Sequence, residues 1–316
     1  MGKVAKNFIY LRKITAKKRL TVIINSIFAG IMKYVALTIT LILFSTIEVA
    51  VKLLGSGAID PILLAAMRFL IAGLIMLPFC KVDLRKFSKK EIFTLLFCAI
   101  VGIVGCFIPY HTGVPLMPAS SSALIFCLNP AFAVFFAHVL LKEKISPLIL
   151  IGLILGISGV YVSTHGFLLP DFSQNFASVL LLISAITFGV YTAASKKLIV
   201  KYSSISITGL VFTIGGLFML PFVQNWNFER TVYSISIIAY LIFAATAVGY
   251  FCFFYALKRI SVAAGSSIFF LKPILAAFFS FLLLQETFSI TYFLGMAVSL
   301  LSLFMILYAD WRTKNG

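Results

Sequence analysis

A stretch of 35 residues occurs twice in this chain, PASSSALIFCLNPAFAVFFAHVLLKEKISPLILIG from Pro118 to Gly152 and SVAAGSSIFFLKPILAAFFSFLLLQETFSITYFLG from Ser261 to Gly295. The two align without a gap at an offset of 143, with about a dozen identities that include Pro130 on Pro273, Glu143 on Glu286, Ser146 on Ser289 and Gly152 on Gly295. In each copy small residues open a long apolar run, a proline sits in its middle and a glutamate closes it, the layout of a membrane-spanning helix followed by a polar turn. The correspondence extends outward: Phe69, Gly73, Met76, Leu77 and Pro78 fall on Phe212, Gly216, Met219, Leu220 and Pro221, and at an offset of 144 Phe44 and Lys52 fall on Phe188 and Lys196. The chain reads as two halves of one design.

Composition places that design in lipid. Of 316 residues, 62% are hydrophobic and only 11% charged, too little polar surface to cover a water-soluble globule of this size. About 20 apolar residues are needed per span, and the sequence offers ten candidates, at approximately 34–54, 61–80, 92–112, 119–141, 147–165, 176–195, 204–223, 233–256, 262–284 and 290–309. The net charge of +17 does not point to nucleic acid, because with the N-terminus inside nearly all Lys and Arg of the loops fall on the cytoplasmic side and only Arg230 falls outside. The expected fold is an all-α membrane protein of ten transmembrane helices. With five helices per half, an odd number, the second half enters the bilayer inverted, giving repeats over 34–165 and 176–310 with both termini cytoplasmic.

Residues 1–33 carry eight Lys and Arg and no acid, and read as a cytoplasmic arm lying on anionic lipid. The apolar run that follows is too long for a cleaved signal peptide. Translation starting at Met1 or at Met32 both fit. The five cysteines (Cys80, Cys98, Cys106, Cys127 and Cys252) show neither paired nor metal-ligand spacing, and His111, His138 and His165 lie on separate spans without a carboxylate at ligand spacing, so no metal site and no cofactor is expected. Gly152, Gly156 and Gly159 permit close helix packing, inside the chain in preference to a homodimer seam.

The paired stretches LNPAFAVFFAHVLLKEKIS and LKPILAAFFSFLLLQETFS, the AAMRFLIAGLIMLP of the second span and the YALKRISVAAGSS before the ninth resemble the EamA family of the drug/metabolite transporter superfamily over roughly residues 32–310. The resemblance implies a ten-helix transporter with a central cavity between its halves, moving small metabolites or amino acids out across the plasma membrane. The long basic arm is a departure from the family pattern.

Charges inside spans are rare and by default functional, and here they are Glu48, Lys52, Arg68 and Lys272. At 1.5 Å per residue, Glu48 lies about 9 Å and Arg68 about 11 Å below the outer boundary, on neighbouring antiparallel helices. They can pair, as a brace or as a gate or proton site. Lys52, roughly 3 Å deep, reads as an interface anchor. Lys272 is about 15 Å from the inner end of its helix, near mid-membrane. It directly precedes Pro273, as its mate Asn129 precedes Pro130. Each proline removes a backbone donor and loosens a turn, which sets a polar side chain beside a helix irregularity in both halves. The expected substrate site is therefore Lys272, Asn129 and Arg68 with Tyr110, Tyr191 and Tyr250 on its wall and Glu48 as coupling or gating residue. The competing reading has Lys272 bracing the fold against Glu48. No nucleophile elbow, HExxH, phosphate loop or aspartate pair is present. That favours a carrier of a carboxylate-bearing metabolite over an intramembrane enzyme or scaffold, with a nucleotide-sugar or drug exporter as the alternative within the same class.

Overall fold

A computed structural model describes residues 30–55, 57–165 and 175–315, so most of the basic arm and the stretch 166–174 lie outside the described residues. Ten helices follow in chain order among those residues. They are α1 (Gly30–Leu53), α2 (Pro61–Phe79), α3 (Lys89–Leu116), α4 (Ala119–Leu141), α5 (Pro147–His165), α6 (Asn175–Lys201), α7 (Ser204–Phe222), α8 (Val232–Leu257), α9 (Val262–Leu284) and α10 (Ile290–Asn315). Nine are long and apolar enough to cross a membrane, and the apolar part of α5, Pro147–Ser163, is shorter. The chain is an all-α membrane protein. The β structure among the described residues is one antiparallel bridge, Ile59 to Phe228, joining two loops.

The helix starts are written locally. Asp60 accepts from the amides of Ile62 and Leu63 ahead of Pro61, Ser88 and Glu91 form a reciprocal capping box, and Thr231 and Ser261 cap α8 and α9. The helix ends are less legible. α6 runs on past its apolar stretch through Lys196, Lys197 and Lys201, because backbone hydrogen bonding continues where hydropathy stops and the lysine tips find polar partners.

Glycines set the close crossings. A Cβ on Gly73 of α2 would lie 2.5 Å from the Thr213 amide of α7, and one on Gly216 of α7 would lie 2.5 Å from the Leu70 amide of α2. The second contact is the first displaced by 143 positions with the halves exchanged. The Gly152, Gly156 and Gly159 face of α5 packs on α10 of the same chain, where a Cβ on Gly159 would meet Ser299 Oγ at 2.5 Å and one on Gly152 would meet Ile306 at 2.7 Å.

Two features bear directly on the centre of the bundle. Within α3 and α8 the segments Cys98–Val104 and Leu241–Val248 are π-helical. Such widened turns, rare in general, are frequent at functional sites. In α4 and α9 the helix breaks ahead of Pro130 and Pro273. The two prolines cannot donate to the carbonyls of Phe126 and Phe269, and both carbonyls are recovered by side chains of α4. The Asn129 amide donates to Phe126 O (2.7 Å) and the Cys127 thiol to Phe269 O (2.8 Å).

Candidate substrate site

Three charges sit at the centre of the bundle. Glu48 and Arg68 are fully buried and Lys272 is 1% exposed. They do not form the Glu48–Arg68 pair that their depths suggest. Glu48 Oε1 instead accepts from the ammonium of Lys272, in a buried salt bridge between α1 and α9, and from the Tyr110 hydroxyl of α3 at 2.6 Å. The Lys272 ammonium also lies 4.9 Å from the centroid of the Phe126 ring, within cation–π range. The helix break before Pro273 makes Lys272 the first residue of a new helical segment of α9.

Arg68 belongs to a second group. Its Nε donates to Thr246 Oγ1 of α8 at 3.0 Å, and its Nη1 lies 2.8 Å from His111 Nε2 of α3. Thr246 stands in the π-helical segment and donates its own proton back to the Leu241 carbonyl at 2.7 Å. A guanidinium has donors only, so His111 must accept at Nε2 and carry its proton on Nδ1. That leaves Arg68 Nη2 and His111 Nδ1 as buried donors without a partner, and Glu48 Oε2 and Asn129 Oδ1 as buried acceptors without one, among the described residues. Unsatisfied buried polar atoms are costly, by about 1–3 kcal/mol each, and the hydroxyls of Thr208, Ser280 and Ser299 share that condition.

Aromatic rings join the two groups. Phe107 lies 6.0 Å from both Tyr110 and Tyr250, and Tyr250 packs on Phe69, next to Arg68 in sequence, at 5.9 Å. Tyr110 is thus a hydrogen-bonding partner of Glu48, and Tyr250 a ring packed beside the Arg68 group. Tyr191 lies beyond, against Phe188 and Phe254, with its ring over Gly102 of the π-helical part of α3. Asn129 is committed through its amide nitrogen to its own helix and offers only its oxygen. Lys52, partly exposed near the end of α1, donates from its ammonium to the Pro115 carbonyl in the last turn of α3 at 3.0 Å.

Thr246 and the pairing of His111 with Arg68 were not found by reading the sequence. A signal for Thr246 exists, since it is the one polar side chain between Tyr240 and Tyr250. Among the described residues no group of three or more His, Cys, Asp and Glu is placed to hold a metal ion.

The chain resembles known proteins along most of its length. It is 27% identical over 278 residues to an uncharacterized transporter of Clostridium kluyveri, covering 83% of this chain and 89% of that one. It is 26% identical to the uncharacterized transporter YetK of Bacillus subtilis, over 84% of this chain and 83% of that one. A protein of Streptantibioticus cattleyicolor named a probable terminal-alkyne amino-acid exporter is 24% identical, over 64% of this chain and 68% of that one. A solved crystal structure superposes with a TM-score of 0.71 at 17% identity, over 91% of this chain and 99% of that one, and so shares the fold. The model of the EamA-like transporter family matches twice, over residues 14–164 and 175–308, and the chain belongs to that family.

Proposed function

We infer that this protein is a secondary transporter that exports a small carboxylate-bearing metabolite, an amino acid foremost, across the plasma membrane. One observation carries the reading. Arg68 is a fully buried guanidinium that has only neutral hydrogen-bond partners and one free nitrogen, beside a His111 with a free Nδ1–H. A buried guanidinium with a free donor suits a carboxylate, which accepts charge-assisted hydrogen bonds from it. Lys272 is neutralised by Glu48, so Arg68 is the cation that awaits the anion. Glu48 Oε2 is a free acceptor suited to an ammonium, so the two groups together match a zwitterion. Tyr110, Tyr250 and Asn129 flank these groups, with Tyr191 in the layer of rings behind them. Glu48, held by Tyr110 and Lys272, is the coupling residue. The relative named as an amino-acid exporter supports this choice of substrate.

The test is efflux and counterflow in proteoliposomes holding the full-length protein and labelled amino acids or other carboxylates. The acid should move and be recovered chemically unchanged, its carboxamide analogue should not, and Arg68→Met should abolish movement while eluting as a folded monodisperse species. Equal transport of the acid and the amide would remove the carboxylate from the reading. An altered product would replace a carrier with an enzyme.

A further inference from the structure

The glutamates that close the duplicated stretches are not loop residues facing solvent. Glu143 follows α4 by two residues, after Lys142 turns the chain with φ 58°, and Glu286 follows α9 in the same way after Gln285 at φ 54°. Each carboxylate then reaches the other helix. Glu143 Oε2 accepts from the Val262 amide, the first residue of α9, at 3.1 Å. Glu286 accepts from the Ala119 amide, the first residue of α4, at 2.9 Å and from the Ser120 hydroxyl at 2.7 Å. Pro118, at the N-cap of α4, has no side chain able to cap, so Glu286 supplies what the local sequence lacks.

A lysine accompanies each. Lys196 of α6 pairs with Glu143 at 2.8 Å and donates to the Ile260 carbonyl at 2.6 Å, holding the segment that leads into α9. Lys52 of α1 donates to the Pro115 carbonyl in the segment that leads into α4. Glu143 and Glu286 are 143 positions apart, as are Ala119 and Val262, and Lys52 and Lys196 are 144 apart. The glutamate-to-helix-start contact is built twice with the halves exchanged, but only Lys196 pairs with its glutamate, whereas Lys52 holds the neighbouring backbone. Since the end of each helix meets the start of the other, α4 and α9 run antiparallel, and the two devices sit at opposite ends of a helix pair about 35 Å long.

Between them the charged centre is closed, with Glu48, Arg68 and Lys272 no more than 1% exposed. Parting one end of the α4–α9 seam would admit a solute to it from that face. We propose that Glu143 with Lys196, and Glu286 with Lys52, are the latches of the two mouths of the transport path, one on each face, so that opening a mouth means releasing one latch while the other holds. This rests on the transport reading and not on the substrate. The chemistry suits a reversible closure: the Glu143 and Lys196 side chains are 26% and 14% exposed, so water is at hand to replace the bonds when they part. The fully buried Glu48 of the central pair has no such replacement.

The latches are tested by accessibility, which needs no substrate, so that a wrong substrate leaves the result standing. Ala123 and Ser266 are 0% exposed, correspond at the offset of 143, and lie about one helical turn inside the Glu286 and Glu143 latches respectively. Ala123→Cys and Ser266→Cys are introduced singly into the full chain in lipid nanodiscs, which leave both faces open to a membrane-impermeant maleimide, and modification is followed at each site by mass spectrometry. Glu143→Ala should raise labelling of Ser266→Cys at least tenfold without raising that of Ala123→Cys, and Glu286→Ala should do the reverse. The double variant should bring the ratio of the two rates back toward the wild-type ratio, because both mouths are then equally freed. If an alanine variant does not fold, Glu143→Gln, which keeps an acceptor for Val262 but loses the charge toward Lys196, should give the same direction at smaller size. An equal rise at both sites from either single change, or no rise at all, would make the glutamates plain braces and overturn the proposal.

Discussion

Replacing Lys272 by Met distinguishes a charge pair that must stay whole from a cation free to serve a ligand. Methionine matches the lysine stem in length and suits the surrounding rings, so loss of packing is small, below about 1.5 kcal/mol for a volume-conserving change. The larger effect falls on Glu48, which is fully buried and keeps only the Tyr110 hydroxyl, its Oε2 already lacking a partner. Removing one member of a buried pair costs about 3–5 kcal/mol, whereas replacing both members by neutral groups of similar shape is neutral or even stabilising. Lys272→Met alone should therefore lower stability by about 3–5 kcal/mol. Lys272→Met with Glu48→Gln, in which the glutamine oxygen still accepts from Tyr110, should recover most of it and give a coupling energy of about 3 kcal/mol. The measurement is a double-mutant cycle from SDS-titrated unfolding in mixed micelles, read by helical circular dichroism. A single variant that unfolds within about 1 kcal/mol of wild type would refute the reasoning, since Glu48 would then not depend on Lys272 for its place in the core.

Three further outcomes follow from packing and topology. Gly159→Ala drives a methyl into Ser299 and the Gly295 carbonyl of α10 and should cost about 1–3 kcal/mol in the same assay. Gly105→Ala, whose methyl meets nothing nearer than 3.6 Å, should be neutral within about 0.5 kcal/mol. The distribution of Lys and Arg expects reporter fusions at Gly316 and beside Phe172 to face opposite sides, and a Gly316 fusion reporting the outside would contradict an inverted second half.

The helices were legible because lipid leaves the chain few choices: an apolar run of about 20 residues has to be a helix, although hydropathy does not mark where it ends, as α6 shows by running on to Lys201. The duplicated stretch also showed where the helices would be irregular, since Pro130 and Pro273 each leave a carbonyl four residues back without its donor. What recovers those carbonyls was not legible. Asn129 acts on its own helix, but Cys127 acts on the neighbouring one, and which side chain faces a freed carbonyl depends on how α4 and α9 are rotated against each other. The π-helical segments in α3 and α8 carry no proline or cap to announce them, and Thr246 reaches Arg68 from one of these.

The same limit governed the charges. Helical rise gives depth but not azimuth, so Glu48 and Arg68, about 2 Å apart in expected depth, looked like partners on neighbouring helices. In a hydrocarbon core about 30 Å thick, a Lys272 about 15 Å from one side lies only about 6 Å deeper than Glu48, a gap that a four-carbon stem spans. The break before Pro273 starts a new segment at Lys272, and that orientation, which no periodicity encodes, joins α9 to α1. Once Glu48 is taken, the in-span charges sort themselves. Lys52 is partly exposed near the end of α1, Lys272 is neutralised by Glu48, and the fully buried Arg68 has a histidine and a threonine as hydrogen-bond partners, which bring no negative charge. Two neutral partners and one free nitrogen do not compensate a buried guanidinium as a carboxylate would. The missing charge is the strongest reason to expect that the occupant of this core arrives with one.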